Sequence, residues 1–474
     1  MGASTHSNIS LQCQSYNGSR GARHPRVLCV HSGACAPGSP DVGLLATTSV
    51  AMYRNSTKGG NALTSIVVML LLVFHSNQVW CDEHAEVWTF ERTAQQALAT
   101  HPAILSQQSA SQAAVADLGA AKWQRYPTPS LTATKQLSGE SNTVLTLQQP
   151  LWTAGRISAY INGAQSRLDT SEAVLNEIKR DIILNLITAY TEAWRLQARQ
   201  QYAVKKVREH KRLLQLVTRR VEHEVTPPVD KSLAQSRLYQ AINDLSSITQ
   251  DLSNAMMQLS QLSGAQIEKI APLEGESPEL PLSKEEAQKL ALDHSPTLAR
   301  LGFEVAAADA DIRAKKSVYL PQLALTYEKT FGGFVAGNFP AGERTLLVMN
   351  IQPGAGLSSI SGVDSATAKR QAARLNRDSA MRDLQINIST DWNLLVAARL
   401  RFDNATLSSK ITNEVYESYV RQYTTGRKGW LEVLNSAQEA AQADMTAADA
   451  SAQITRSALR LRLLTGNLKF LSVN

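Results

Sequence analysis

A chain of 474 residues with 48 Lys/Arg against 41 Asp/Glu carries a formal net charge of +7 and is 43% hydrophobic. Its mean hydropathy of −0.21 excludes a bundle of membrane-spanning helices, and its length allows two or three domains or one elongated one. Five of the basic residues and one acidic residue precede Asp82, leaving 43 against 40 beyond it, too small an excess to argue for nucleic acid.

Residues 1–51 show no periodicity and read as an unstructured upstream extension. Residues 52–81 read as a signal peptide. Met52 is a serviceable start, Arg54 and Lys58 are basic, and nine uninterrupted apolar residues run from Ile66 to Phe74. That run falls short of the roughly 20 residues of a membrane-spanning helix. Val79 and Cys81 suit positions −3 and −1 of a cleavage site, which places the mature start at Asp82. A lipid-anchored Cys81 is the rival reading, and the bulky Trp80 argues against it. All four cysteines (Cys13, Cys29, Cys35, Cys81) precede Asp82, so disulfides, thiolate metal sites and cysteine nucleophiles are excluded after it.

From Asp82 onward the chain repeats itself at a spacing of about 200 residues. "AQQALATHP" (94–102) answers "AQKLALDHSP" (287–296), and "YPTPSL" (126–131) answers "YLPQLAL" (319–325). "QQPLWTAG" (148–155) answers "IQPGAGLSSISG" (351–362), and "QLSQLSG" (258–264) answers "RLRLLTG" (460–466). "APLEGESPELPLS" (271–283), rich in Pro, Glu and Ser, separates the copies, so the expected repeats are 82–277 and 278–474. So long a period marks a duplicated domain rather than a solenoid.

The first repeat opens with a helix-like stretch, 103–126. Two strand-like runs follow, "PSLTATKQL" (129–137) and "TVLTLQQPL" (143–151), joined by "SGESN". Leu131, Ala133 and Lys135 alternate with Ser130, Thr132 and Thr134, the period of a strand with unlike faces. A long helix is expected over about 156–224, a break at "VTPPVD" (225–230), and a return helix over 230–263. The second repeat has the same plan: strands at about 321–331 and 344–353, a long helix at about 363–425, a break at "TTGRKG" (424–429) and a return helix at 430–465. Residues 363–425 contain neither Gly nor Pro. A helix of that length spans about 95 Å at 1.5 Å per residue and must pack lengthwise against other helices. Ile183, Ile187, Tyr190 and Trp194, then Leu214, Val217 and Val221, show the 3-and-4 spacing of coiled-coil packing. The remaining faces, rich in Gln, Arg, Glu, Ser and Asn, are expected to meet water.

Each hairpin strand is nine to eleven residues long, the length of a tilted strand crossing a bilayer. Apolar residues alternating with Thr, Ser and Gln suit one lipid face and one wet face. Four strands cannot stand in hydrocarbon as an open sheet, because their edges leave backbone groups unpaired. Closure requires several chains. Two supply eight strands, a barrel that side chains nearly fill; three supply twelve, with room for a pore. The expected fold is therefore mainly α with a small membrane β part, most simply a trimer whose 12-strand β-barrel continues into an α-helical barrel. At the junction Pro150 is expected to end the strand ladder for want of an N–H. Trp152 is expected at the membrane–water boundary, and Gly155 at the turn before Arg156 starts the helix.

These motifs resemble the TolC family of outer-membrane efflux and secretion ducts. The resemblance covers about 87–466. It rests on "HPAIL" and "SPTLA" opening the repeats, "YPTPSL" and "YLPQLAL" entering the hairpins, "QPLWTAGR" leaving the first, and "LSG" and "LTG" closing each repeat. It implies a homotrimeric channel in the outer membrane of a Gram-negative bacterium, with most of the chain in the periplasm and outer-membrane lipid around the barrel. It also implies partners: a periplasmic adaptor and an inner-membrane transporter of the ABC or RND type, within a tripartite efflux pump or a type I secretion system. A periplasmic gate is implied at Asp230, Tyr423, Gly426, Lys428 and Glu432, with Asn435 where the family carries a second carboxylate. Pro227 and Pro228 depart from the family at the first tip, as does Glu224 in place of its glycine.

Five histidines follow Asp82: His84, His101, His210, His223 and His294. None has metal-ligand spacing on a helix, and "EHE" (222–224) reads as a solvated charged face before it reads as a metal site. No Walker lysine follows "FGGFVAGNFPAG" (331–342), which reads as an extracellular loop. No cofactor and no catalytic residue is expected. The competing class is a periplasmic coiled-coil adaptor or structural protein without a membrane barrel.

Overall fold

The computed structural model describes residues 87–135, 141–273, 281, 283–332, 342–352, 355 and 358–467. Contacts within the chain separate Met1–Cys81 from Asp82–Asn474, and every described residue belongs to the second unit. The expected extension, signal peptide, cleavage site and Cys81 lie outside the described residues, as do most of the two hairpin loops.

The first repeat comprises α1 (Phe90–Thr100), α2 (Pro102–Trp123), β2 (Thr128–Lys135), β3 (Ser141–Trp152), α3 (Arg156–Glu222) and α4 (Pro228–Ser263). The second comprises α5 (Lys284–Asp293), α6 (Pro296–Lys316), β5 (Gln322–Gly332), β6 (Glu343–Asn350), α7 (Ser359–Thr424) and α8 (Trp430–Leu464). Two short strands, β1 (Val87–Trp88) and β4 (Lys269–Ile270), pair in parallel. The start signals are alike in both halves. Pro102 and Pro296 open α2 and α6, where a missing N–H costs nothing. The preceding side chains cap those helices, His101 Nδ1 accepting from Ala103 N at 3.2 Å and Ser295 Oγ from Leu298 N at 3.3 Å.

Several boundaries differ from expectation by one to four residues. Helix α4 begins at Pro228, two residues before 230, because a proline is tolerated in the first turn. Helix α7 starts at Ser359, ahead of the expected 363, and tolerates Gly362 in its first turn. Strand β6 ends at Asn350, three residues short of the expected 353.

The four hairpin strands form one antiparallel sheet in the order β2-β3-β5-β6. Direct partners lie on the same face, so the register sorts the side chains. Leu131, Leu145, Leu147, Leu325, Tyr327 and Leu347 share one face; Ser130, Thr132, Thr146, Gln148, Thr326, Glu328 and Arg344 share the other. On the second face Arg344 donates to Glu328 at 2.6 Å across the strands.

Helices α3 and α7, 67 and 66 residues long, each run about 100 Å. The shorter helices lie along them in two storeys. On one flank α2 and then α4 pack on α3; between the long helices, α6 and then α8 bridge α3 to α7. Ile183, Ile187, Tyr190 and Val217 of the expected stripe are fully buried, while Trp194, Leu214 and Val221 are partly buried. Each fully buried aliphatic side chain contributes on the order of 1.5–3 kcal/mol. Around β1 and β4, Tyr190 Oη lies 2.9 Å from the Trp88 carbonyl and 2.8 Å from that of Ala271. Burial pushes its pKa far up.

The expectation that the polar faces are wet fails at several positions. Lys206, His210, Asp391 and Asp444 are buried. Three of them are compensated by partners, as a buried charge requires. Lys206 Nζ reaches Asp244 at 2.9 Å and Arg460 reaches Asp391 at 3.4 Å. Asp444 accepts from Lys205, Ser409 and Asn413 at 2.9, 2.6 and 2.7 Å. The His210 ring has no partner on Nδ1 among the described residues.

Candidate functional site

Two places hold the residues singled out by sequence: the tips of the helix pairs and the junction of sheet and helices.

The tips turn by one backbone pattern, used twice. Val225 N donates to Arg220 O at 2.9 Å, as Arg427 N does to Gln422 O. Glu224 N donates to Val221 O at 3.0 Å, as Gly426 N does to Tyr423 O. The pattern needs a left-handed residue after the helix. The second tip supplies Gly426 at φ +75°; the first places Glu224 there at φ +60°.

Tyr423 closes α7 and Trp430 opens α8; both are buried, and their rings meet at 5.0 Å. The Arg220 guanidinium lies 4.7 Å over the Tyr423 ring and donates to the Tyr423 carbonyl at 3.4 Å. Trp430 Nε1 donates to the carbonyl of Asp230 at 3.1 Å. The Tyr423–Trp430 ring pair stiffens the second tip, and the two tips are locked together through the Arg220–Tyr423 cation–π contact and two part-buried hydrogen bonds, Arg220 to the Tyr423 carbonyl and Trp430 to the Asp230 carbonyl. The Tyr423 hydroxyl, though buried, has no partner among the described residues.

Lys428 and Glu432 pair within one tip. Lys428 Nζ donates to Glu432 Oε1 at 2.7 Å, and Gly429 N donates to Oε2 at 2.9 Å. The Lys428 ammonium, and then the Gly429 N–H, hold the Glu432 carboxyl below its ordinary 4.5; Glu432 in turn raises Lys428 above 10.5. This carboxylate caps its own helix. Asp230 lies in the first turn of α4, where negative charge suits the helix dipole, and its carboxylate makes no ion pair among the described residues. Asn435 is exposed on α8. The tip thus brings together Tyr423, the Asp230 backbone and the Lys428–Glu432 pair, and leaves the Asp230 carboxylate and Asn435 apart from them. Arg220 and Trp430 were missed by sequence reasoning. An indole directly after the "GRKG" turn was the available signal, since a Trp placed there buries itself against whatever is adjacent.

At the junction the structure corrects one expectation. Pro150 does not end the ladder; β3 runs on to Trp152, with Pro150 opposite Ala324 and Trp152 opposite Leu323. The proline's missing N–H is absorbed by a bulge, which places one extra residue, Leu151, in the strand. The bulge changes the alternation. Without it Trp152 would fall on the face of Gln148; with it, Trp152 stands beside Leu323, on the face of Leu325, Leu347 and Met349. Gly155, at φ +83°, makes the turn into α3 together with Ala154 at φ +50°.

No helix among the described residues is long and apolar enough to cross a membrane, and none of their His, Asp and Glu side chains group as a metal site. The sequence profile of the family described as "Outer membrane efflux protein" matches residues 93–265 and 288–467, both repeats. The chain belongs to the outer membrane efflux protein family. As a member it is a transport channel of the outer membrane, and the reading as a periplasmic coiled-coil adaptor or structural protein without a membrane barrel falls away. No curated protein matches it by sequence. In fold this efflux protein is similar to CusC (TM-score 0.70, 16% identity, covering 79% of this chain and 91% of that one). It is similar to VceC of Vibrio cholerae (TM-score 0.68, 17% identity, 80% and 96%). It also resembles the open state of the MtrE outer membrane channel of Neisseria gonorrhoeae (TM-score 0.69, 16% identity, 80% and 89%).

Proposed function

We propose that three copies of this efflux protein close around one axis into a 12-strand barrel continued by a helical duct, the exit of a pump whose inner-membrane transporter is joined to it by a periplasmic adaptor. The observation that supports this is the pair of open edges. Strands β2 and β6 each have one unpaired side, an arrangement that hydrocarbon does not tolerate. The same two flanks of the helical body expose apolar residues: Tyr239, Ile242 and Met257 on α4, and Leu400, Leu407 and Ile411 on α7. Unlike edges on opposite flanks join head to tail, and such contacts make rings. Twelve strands leave a lumen, which eight do not.

The locked tips are the entrance of this duct. Three copies bring three Asp230 carboxylates and three Lys428–Glu432 pairs around the axis, and the Tyr423–Trp430 contact sets their height. Mass measurement in mild detergent tests the assembly: three copies support it, and a stable inserted monomer overturns it.

A further inference from the structure

We propose that the rim where the sheet meets the helices docks the anionic headgroups of phospholipids in the periplasmic leaflet, a reading that rests on the sheet spanning the membrane. Three chain segments meet at this rim: 120–128 from α2 into β2, 150–160 from β3 into α3, and 313–322 from α6 into β5. They carry six basic residues, Lys122, Arg125, Arg156, Arg313, Lys315 and Lys316, and no acidic one. None of the six forms an ion pair among the described residues, whereas further down the helices several charges are paired across elements. In a trimer that is eighteen positive charges in a chain otherwise close to neutral.

The apolar face of the sheet runs directly into this belt. Its last members are Trp152, Leu323 and Met349, and the bulge at Leu151 is what puts the indole there. Trp152 and Met349 are both exposed. Beside them, Trp123 and Tyr126 stand 70% and 56% exposed with their rings 5.0 Å apart. Apolar surface, then indole and phenol, then unpaired cations is the sequence of layers met on crossing from acyl chain to headgroup. Lysines in a last helical turn also suit the helix dipole, which accounts for those ending α2 and α6. It does not account for Arg156, which opens α3 where the dipole repels it, with no acidic residue in that turn. An anion outside the protein satisfies all six.

The test is lipid retention. The protein is reconstituted in vesicles of phosphatidylcholine mixed with phosphatidylglycerol, extracted mildly, and its bound lipid identified by native mass spectrometry. Phosphatidylglycerol should be enriched over its share of the vesicle. A variant carrying Arg313→Gln, Lys315→Gln and Lys316→Gln should lose at least about fivefold of that enrichment; Arg313→Lys, Lys315→Arg and Lys316→Arg should keep it. Retention in the bulk ratio by the parent, or undiminished enrichment in the glutamine variant, overturns the proposal. A protein that inserts as a trimer without lipid preference overturns the rim alone; one that does not enter the vesicles overturns the membrane-spanning reading beneath it.

Discussion

The indole of Trp430 and the backbone carbonyl of Asp230 lie 3.1 Å apart, although 200 residues of chain separate them. This bond joins the first turn of one return helix to the first turn of its repeat-related copy. Trp430→Phe keeps most of the ring and removes the donor, leaving a part-buried carbonyl unmet, so it should cost about 1 kcal/mol. Trp430→Ala should cost about 3 kcal/mol. Hydrogen exchange at 220–232 and 420–434 should accelerate in both while the upper helices stay protected. Unchanged exchange at the first tip would show that the repeats are not coupled there.

The entrance should answer to packing before charge. Tyr423→Phe removes only a hydroxyl that has no partner among the described residues, so single-channel conductance in planar bilayers should not change. Arg220→Ala removes the cation over that ring and should raise it. Lys428→Ala frees Glu432 and should increase cation preference. A Tyr423→Phe channel that conducts more than the parent would show that this hydroxyl bonds a neighbouring copy.

The Lys428–Glu432 pair has a defined pH window. The Glu432 pKa is lowered on folding, so its contribution is present above 4.5 and lost as pH falls through the lower folded value. That of Lys428 is raised, so its contribution is present below 10.5 and lost as pH rises through the higher folded value. Conductance of the parent and of Glu432→Gln should therefore differ by a constant factor from pH 5 to pH 9. A difference that changes with pH inside that range would point to another titrating group at the entrance.

His210 sets a second window. Burial, then Lys206 and Arg237, outweigh Glu209 and Asp244 and bring its pKa down to about 4 from an ordinary 6.5. A lowered histidine pKa means that the packed coil holds a neutral ring. Stability is complete above pH 6.5 and falls as pH drops toward 4, by at most about 3 kcal/mol and less where water reaches the coil. His210→Leu should flatten the midpoint of thermal unfolding across that range. An equal slope in parent and variant would place the acid sensitivity elsewhere.

At the first tip Glu224 holds a left-handed conformation that costs a residue with a side chain roughly 1–2 kcal/mol. Glu224→Gly should be neutral to stabilising by up to about 1 kcal/mol, and Gly426→Ala at the equivalent place should destabilise by a similar amount. Denaturant midpoints check both, and opposite signs are the expected outcome.

The long helices, the hairpins and the duplication were legible because each rests on local pattern: absence of Gly and Pro over 363–425, alternation at 130–135, matched motifs in order. Boundaries at Pro228 and Ser359 were missed because a first helical turn accepts residues that an interior rejects. The bulge was invisible for a different reason. Pro150 announces an interrupted ladder, but whether the strand stops or steps past the interruption depends on Ala324 and Leu323, in the other repeat. The second tip was legible in Tyr423, Lys428 and Glu432 and not in their partners. Lys428 in the turn and Glu432 in the first turn of α8 are four apart in sequence and meet each other within one tip. Arg220 and Trp430 are brought to Tyr423 only by tertiary packing. The buried Lys206, Asp391 and Asp444 likewise look solvated until the neighbouring helices that supply their counterparts are in place.

Helices α3 and α7 differ by one residue in 67, and α4 and α8 by one in 36. One residue is about 1.5 Å of rise, so both tips stand level below a common sheet, which is what lets Trp430 reach Asp230. A turn inserted in one repeat alone would drop its tip about 5 Å beneath the other and tilt the mouth. Descendants of such a chain can lengthen or shorten to suit a different periplasm only by editing both copies of the ancestral gene segment in step.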